Sequence, residues 1–189
     1  MSNAMIILHE IYGINKFIEG QCKKYQKAGF DFFCPDMLGR PPFSYEESAE
    51  AYEFFMKNVG FSLYSDICHT VSQLKNEYEK VFIIGFSVGA TIAWRCGEST
   101  DCDGVIACYG SRIRDYKDLD PKCPTLLLFA KEDTFDVAKL ISQLEHKRFV
   151  KILKFNAKHG FMDPFSNLFN GLEAKRAEKS IDSFLSPEF

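Results

Sequence analysis

The sequence predicts an α/β fold, a mostly parallel sheet of about six strands with helices on both faces. Three observations carry this. Short apolar runs alternate with amphipathic, helix-length stretches along the chain. Residues 124–130 are apolar without alternation, which marks a strand buried on both faces of a parallel sheet. Residues 80–94 read as an apolar strand, a Gly-x-Ser-x-Gly turn and a helix in immediate succession.

The elements follow in order. Residues 5–8 form a first strand that runs into the loop His9-Glu10-Ile11-Tyr12-Gly13. Asn15 caps a helix reaching about Ala28 and stopped by Gly29. Residues 30–34 make a second strand, ended by Pro35-Asp36 and placed at an open sheet edge. Gly39, Pro41 and Pro42 keep residues 37–43 in a loop. Ser44 and Glu47 have capping-box spacing and open a helix. A further helix spans 61–78. Strand three is 81–84, and the helix after Ser87 ends near Gly97. Residues 104–109 and 124–130 supply strands four and five. Residues 135–147 are helical, with Val137, Leu140, Ile141 and Leu144 along one side. Strand six covers 149–155, and a last helix covers 172–185.

Composition narrows the function. A chain of 189 residues with 46% hydrophobic content suits one domain with a sizeable core, assigned to residues 5–189. Met1-Ser2-Asn3-Ala4 reads as a cloning remnant ahead of a natural start at Met5. Net charge is -3 and basic clusters are short, which argues against a nucleic-acid partner. No apolar run approaches the roughly 20 residues that cross a bilayer, and no signal-peptide pattern stands at the start. A cytoplasmic protein without a membrane partner is expected. Seven cysteines without a Cys-x-x-Cys pair read as reduced thiols, not as a zinc site or disulfide framework. Neither a metal nor a cofactor is expected, and the chain is expected as a monomer or homodimer.

Ligands of parallel sheets sit at the carboxyl ends of the strands. The polar residues there are Glu10, Ser87, Glu132 with Asp133, and His159. Ser87 stands at the apex of a tight strand–turn–helix, where its hydroxyl is lifted clear of the sheet. A serine hydroxyl is a weak nucleophile until a base takes its proton, and His159 titrates in the right range to do so. The base needs an acid to fix its tautomer and stabilise the imidazolium. Asp133 is the first choice, with Asp136 and Glu132 in reserve. Taken alone, Asp133 is more often a turn former or the cap of the helix at 135, and His159 a surface histidine. Their order after Ser87, each behind a strand, favours the chemical reading, because Ser, acid, His is the order of the α/β-hydrolases. The backbone N–H groups of Ile11 and Val88 are the candidate oxyanion donors. Glu10, Tyr12, Phe86 and Phe161 are the candidate substrate pocket, with Phe43 and Phe165 at its mouth.

With these residues the chain resembles the dienelactone hydrolase family of α/β-hydrolases. His9-Glu10-Ile11-Tyr12-Gly13-Ile14-Asn15 is similar to its glutamate loop, Gly85-Phe86-Ser87-Val88-Gly89 to its nucleophile elbow, and His159-Gly160-Phe161 to its histidine loop. The resemblance implies an α/β-hydrolase fold that lacks the family's usual first strands, and a Glu10 that contacts the nucleophile. This chain departs from the pattern in two ways. Serine replaces the cysteine nucleophile, and Met162-Asp163-Pro164-Phe165 stands where a pocket arginine holds a substrate carboxylate. Arg40 is the candidate for a second such arginine. The expected function is a serine hydrolase of small carboxylic esters, thioesters or lactones, working through an acyl-enzyme on Ser87. The alternative is a non-catalytic ligand-binding or regulatory domain on the same scaffold. An acyltransferase or peptidase is a third reading, weakened by the lack of a lid insertion or a peptide-selecting domain.

Overall fold

The computed structural model describes residues 2–98 and 101–186. Met1, first of the four residues set aside above, lies outside them. Six strands form one sheet: β1 (Asn3–Leu8), β2 (Phe30–Phe33), β3 (Val81–Phe86), β4 (Gly104–Cys108), β5 (Thr125–Glu132) and β6 (Val150–Lys158). Their order is β2-β1-β3-β4-β5-β6, and every pair is parallel. β2 pairs only with β1 and occupies an edge, as its sequence predicts. β1 starts earlier than expected: Asn3 and Ala4 pair with Phe30 and Asp31.

Six helices connect and cover the sheet: α1 (Lys16–Lys27), α2 (Ser48–Asn58), α3 (Tyr64–Leu74), α4 (Val88–Cys96), α5 (Val137–Leu144) and α6 (Gly171–Leu185). The capping signals act where the sequence puts them. Asn15 accepts from the N–H of Ile18, and Ser44 and Glu47 close a capping box. That box opens a short 3-10 turn (Tyr45–Glu47) ahead of α2. Phe61–Leu63 is likewise a 3-10 turn, so α3 is shorter than the 61–78 span. α5 ends at Leu144, which leaves His146 outside the helix expected to contain it.

Strand parity divides the core. Met5, Ile7, Phe82, Ile84 and Phe86 face α1 and α6, where they meet Phe17, Tyr25 and Ile181. Ala4, Ile6, Leu8, Val81 and Ile83 face the other way, onto α2, α3 and α4. Trp94 of α4 and Leu140 of α5 cover the β5 end of that second face with Leu127 and Phe129. Both faces are covered, so β3 and β4 are buried at every residue.

The turn between β3 and α4 is the tightest point of the fold. A Cβ on Gly85 would lie 2.1 Å from the carbonyl oxygen of Gly89, and one on Gly89 would lie 2.4 Å from that of Leu8. Only glycine lets these backbones approach so closely. Gly89→Ala is therefore expected to lower stability by about 3 kcal/mol or more, because the clash is with rigid backbone of β1. Asn15→Ala, which only removes a cap, is expected to cost about 1 kcal/mol. Urea unfolding of the two variants checks the contrast, and similar losses would contradict it.

Candidate active site

The turn sets Ser87 at φ 53°, in the left-handed region that non-glycine residues rarely adopt. Its N–H donates to the carbonyl of Cys108, and α4 begins at the next residue. Ser87 Oγ lies 2.9 Å from His159 Nε2. His159 Nδ1 lies 2.8 Å from Asp133 Oδ2. Strand ends make this possible: β5 closes one residue before Asp133 and β6 one residue before His159, and the His159 N–H donates to the carbonyl of Glu132.

Among the three candidate acids the geometry selects one. The Asp133 side chain is buried and faces His159, while its Oδ1 accepts from the N–H of Thr134. Asp136 instead caps α5, accepting from the N–H of Lys139. The helix-cap role open to Asp133 from sequence thus belongs to Asp136. Glu132 is exposed. Burial pulls the His159 pKa down, but the hydrogen bond and charge of Asp133, with a further contribution from Glu10, outweigh it and leave the pKa raised above 6.5.

Ser87 and His159 stand between two cavities. The smaller, about 70 Å³, is bounded by Glu10, Tyr12, Tyr45 and Asp163. The larger, about 230 Å³, is bounded by Ile11, Tyr52, Val88, Arg112 and Thr134. Ile11 and Val88 therefore share a pocket with Ser87. Val88 opens α4, so its N–H has no partner within the helix.

Glu10 sits at the base of the small cavity, 5% exposed. Burial pushes its pKa up to about 7, with Asp163 adding to the rise and His159 and the nearby Tyr109 hydroxyl opposing it. Among the described residues, its Oε1 has no hydrogen-bond partner. His9 braces the same loop. It is fully buried, with Nδ1 2.6 Å from the Glu10 carbonyl oxygen, and its Nε2 accepts from the N–H of Met37. Desolvation lowers its pKa and keeps the ring neutral, as that acceptor role requires.

Five expectations for the pocket and its mouth fail. Phe86 shares parity with Phe82 and Ile84, so it points to the α1 face and packs on Phe17 at 5.0 Å. Phe161 is fully buried against Phe155 and Tyr109. Neither lines a cavity at Ser87. Phe43 is also core, beneath Arg40, whose guanidinium stacks on its ring at 3.6 Å and does not reach the site. Phe165 lies on the outer flank, not at the mouth.

The sequence reading missed four side chains. Tyr109 follows β4 at φ 46° and sets its ring 5.2 Å from His159; the strand-end rule that found Ser87 applies to it equally. Tyr45 donates to Asp163 Oδ2 at 2.5 Å and closes one wall of the small cavity. On the other side Arg112 donates to the Tyr52 hydroxyl through Nε and Nη2. No local signal marks the last three, since their partners are distant in sequence.

A model of the dienelactone hydrolase family matches residues 1–187. The chain belongs to the dienelactone hydrolase family. Membership places it among the hydrolases. It is 40% identical over 170 residues to the uncharacterized protein YczH of Bacillus subtilis (strain 168), covering 88% of this chain and 84% of that one. Solved structures share its fold. A candidate dienelactone hydrolase from Klebsiella pneumoniae subsp. pneumoniae superposes with a TM-score of 0.82 at 16% identity, over 96% of this chain and 85% of the other. The Pyrococcus furiosus esterase Pf2001 gives 0.69 at 16% identity, over 97% and 82%. Among the described residues, no helix is long and apolar enough to cross a membrane, and no cluster of His, Cys, Asp or Glu could hold a metal ion.

The Glu10 carboxyl gives stability a defined pH dependence. Below pH 4.5 both folded and unfolded chains hold its proton. Between 4.5 and about 7 only the folded chain holds it, so stability falls as pH rises, by on the order of 3 kcal/mol, and then levels off. Glu10→Gln is expected to flatten this slope in urea unfolding measured across that range. Tyr45→Phe should cost about 1–3 kcal/mol at any of these pH values, since it strips a partner from the buried Asp163.

Proposed function

We propose that this protein is a serine hydrolase acting on small carboxylic esters, thioesters or lactones through an acyl-enzyme on Ser87. The observation that carries the proposal is the continuous hydrogen-bonded series Ser87–His159–Asp133, with links of 2.9 and 2.8 Å. Both links fall within the reach that proton transfer requires.

In this reading His159 Nε2 takes the Ser87 proton as Oγ attacks the carbonyl carbon. The oxyanion forms facing the N–H groups of Ile11 and Val88. Asp133 stabilises the imidazolium through Nδ1–H. The tetrahedral intermediate then collapses. His159 returns the proton to the leaving oxygen or sulfur, and the acyl group stays on Ser87. Water, deprotonated by His159, attacks the ester so formed, and its breakdown releases the acid and restores Ser87. The two cavities flanking Oγ divide the substrate. The small one admits only a compact group, and the larger one carries the bulkier portion. Glu10 acts on this cycle through its charge on His159.

A fluorophosphonate probe should add one equivalent to Ser87, located by peptide mass spectrometry, and Ser87→Ala should lose both labelling and ester turnover. Loss of turnover by several orders of magnitude is expected for Ser87→Ala and His159→Ala alike, because the residues act as a unit. A variant keeping a tenth of wild-type kcat/KM would refute the mechanism. Hydrolysis by wild type of no member of an ester, thioester and lactone panel, with Ser87 unlabelled, would return the domain to a binding role.

Asp133→Asn should lower kcat by up to about 10⁴ through the wrong imidazole tautomer. Asp136→Asn should leave it near wild type, since Asp136 only caps α5. The acid limb of kcat/KM should have its midpoint above pH 6.5, because catalysis needs neutral His159 and that pKa is raised. Glu10→Gln should move the limb to lower pH by removing a charge that favours the imidazolium.

A further inference from the structure

On the flank away from the two cavities, a groove of about 630 Å³ lies between α1 and α6. This size lies within the range of small-molecule sites, roughly 300–1,000 Å³. Its floor is apolar and anchored: Phe17 and Met162 are buried core residues whose edges reach the groove. Its upper wall is Phe165 and Phe169, which are 53% and 45% exposed. Leu168 and Leu172 are exposed beside them, so four large apolar side chains within residues 165–172 face outward. Such a concentration is unusual for a surface with no partner.

Two further features give the groove a chemical preference. Gly20 lies in the middle of α1 and lines it, and a Cβ built there would meet nothing within 4 Å. A helix interior disfavours glycine, and here its missing side chain lengthens the trough. Lysines ring the rim: Lys16 and Lys24 from α1, Lys175 from α6, against a single acid, Glu178. Lys24 sits 3.6 Å from Glu178, which leaves Lys16 and Lys175 as surplus positive charge on a chain whose net charge is -3. An apolar trough with a cationic rim fits a ligand with an extended hydrocarbon chain and an anionic head.

We propose that the groove between α1 and α6 binds a long-chain carboxylate, its chain along Phe17, Phe165 and Phe169 and its head between Lys16 and Lys175. The site stands apart from Ser87 and does not rest on the hydrolase reading. The loop that forms its wall has a second face. Gly160, Asp163, Ser166 and Leu168 of the same loop border the small cavity beside His159. A molecule seated in the groove therefore touches the outer side of a wall whose inner side meets the Ser87–His159 pair.

Titration calorimetry with laurate, kept below its micellar concentration, tests this on the full chain. Saturable one-to-one binding is expected, at least tenfold tighter than that of dodecyltrimethylammonium, which has the same chain and the opposite charge. Protein phosphonylated at Ser87 should bind laurate equally well, because the groove is a separate site. Gly20→Trp fills open space and should weaken laurate at least tenfold while leaving fluorophosphonate labelling unchanged. Lys16→Glu with Lys175→Glu should weaken laurate to a similar degree and favour the ammonium. The proposal fails if wild type shows no saturable laurate binding, if the ammonium binds as tightly, or if Gly20→Trp with intact labelling binds like wild type. It also fails if the groove proves to be covered by a second copy of the chain, seen as sedimenting dimers that Gly20→Trp dissociates. Sedimentation with phosphatidylglycerol vesicles in the absence of laurate binding would give the surface to a membrane and likewise overturn it.

Discussion

Backbone packed directly on backbone, where the β3–α4 turn crosses the end of β1, is the constraint on which the site depends. Gly89 leaves no side-chain layer between α4 and the carbonyls of Leu8 and His9, and Gly85 lets the end of β3 lie against the backbone of Gly89 and Ala90. That contact holds the N-terminus of α4 over the sheet and forces Ser87 into its left-handed conformation. The strain is held by the burial of β3, whose residues are covered on both faces, so the turn cannot relax without moving the centre of the sheet. The same contact brings the loop after β1, with Glu10 and Ile11, against the start of α4.

Electrostatics then separates the two sides of Ser87. The small cavity has two carboxyl groups and two phenols at its walls, and the Tyr45–Asp163 hydrogen bond ties its rim together. The larger cavity has one guanidinium, oriented by Tyr52 and by an ion pair with Asp115. His159 lies at the boundary, with Asp133 on its Nδ1 and Tyr109 against its ring. Asp133 holds the ring's orientation, and Tyr109 restricts the space into which the ring could swing. The two partners act on different degrees of freedom of one side chain.

The backbone plan was legible because it is local. Apolar runs, Asn15, the Ser44–Glu47 box and the glycine-flanked serine each report on neighbours a few residues away, and each element formed close to its predicted place. Ser87 and His159 were legible because parallel topology sends every strand's carboxyl end to one edge. Asp133 was separable from Asp136 only in three dimensions, since either could cap α5. Phe86 precedes Ser87 in sequence but shares the parity of Ile84, so its side chain points to the α1 face and away from the site. Tyr109 stands at a strand end, where the same rule that marks Ser87 applies to it. Tyr45 carries no signal, and its meeting with Asp163, which the sequence places only where a pocket arginine is expected, depends on how two loops close over the finished sheet.

The wide sequence separation of the site has a temporal consequence. Ser87 and its elbow belong to the first half of the chain, while His159 follows the last strand. Tyr45 and Asp163 are 118 positions apart. A polypeptide synthesised in order therefore holds the Ser87 segment long before it holds His159, and the strained turn forms only with the sheet that pins it. Contacts of such span form only after long loops have closed. The Ser87–His159–Asp133 series therefore comes together only when β6 docks and the sheet is complete.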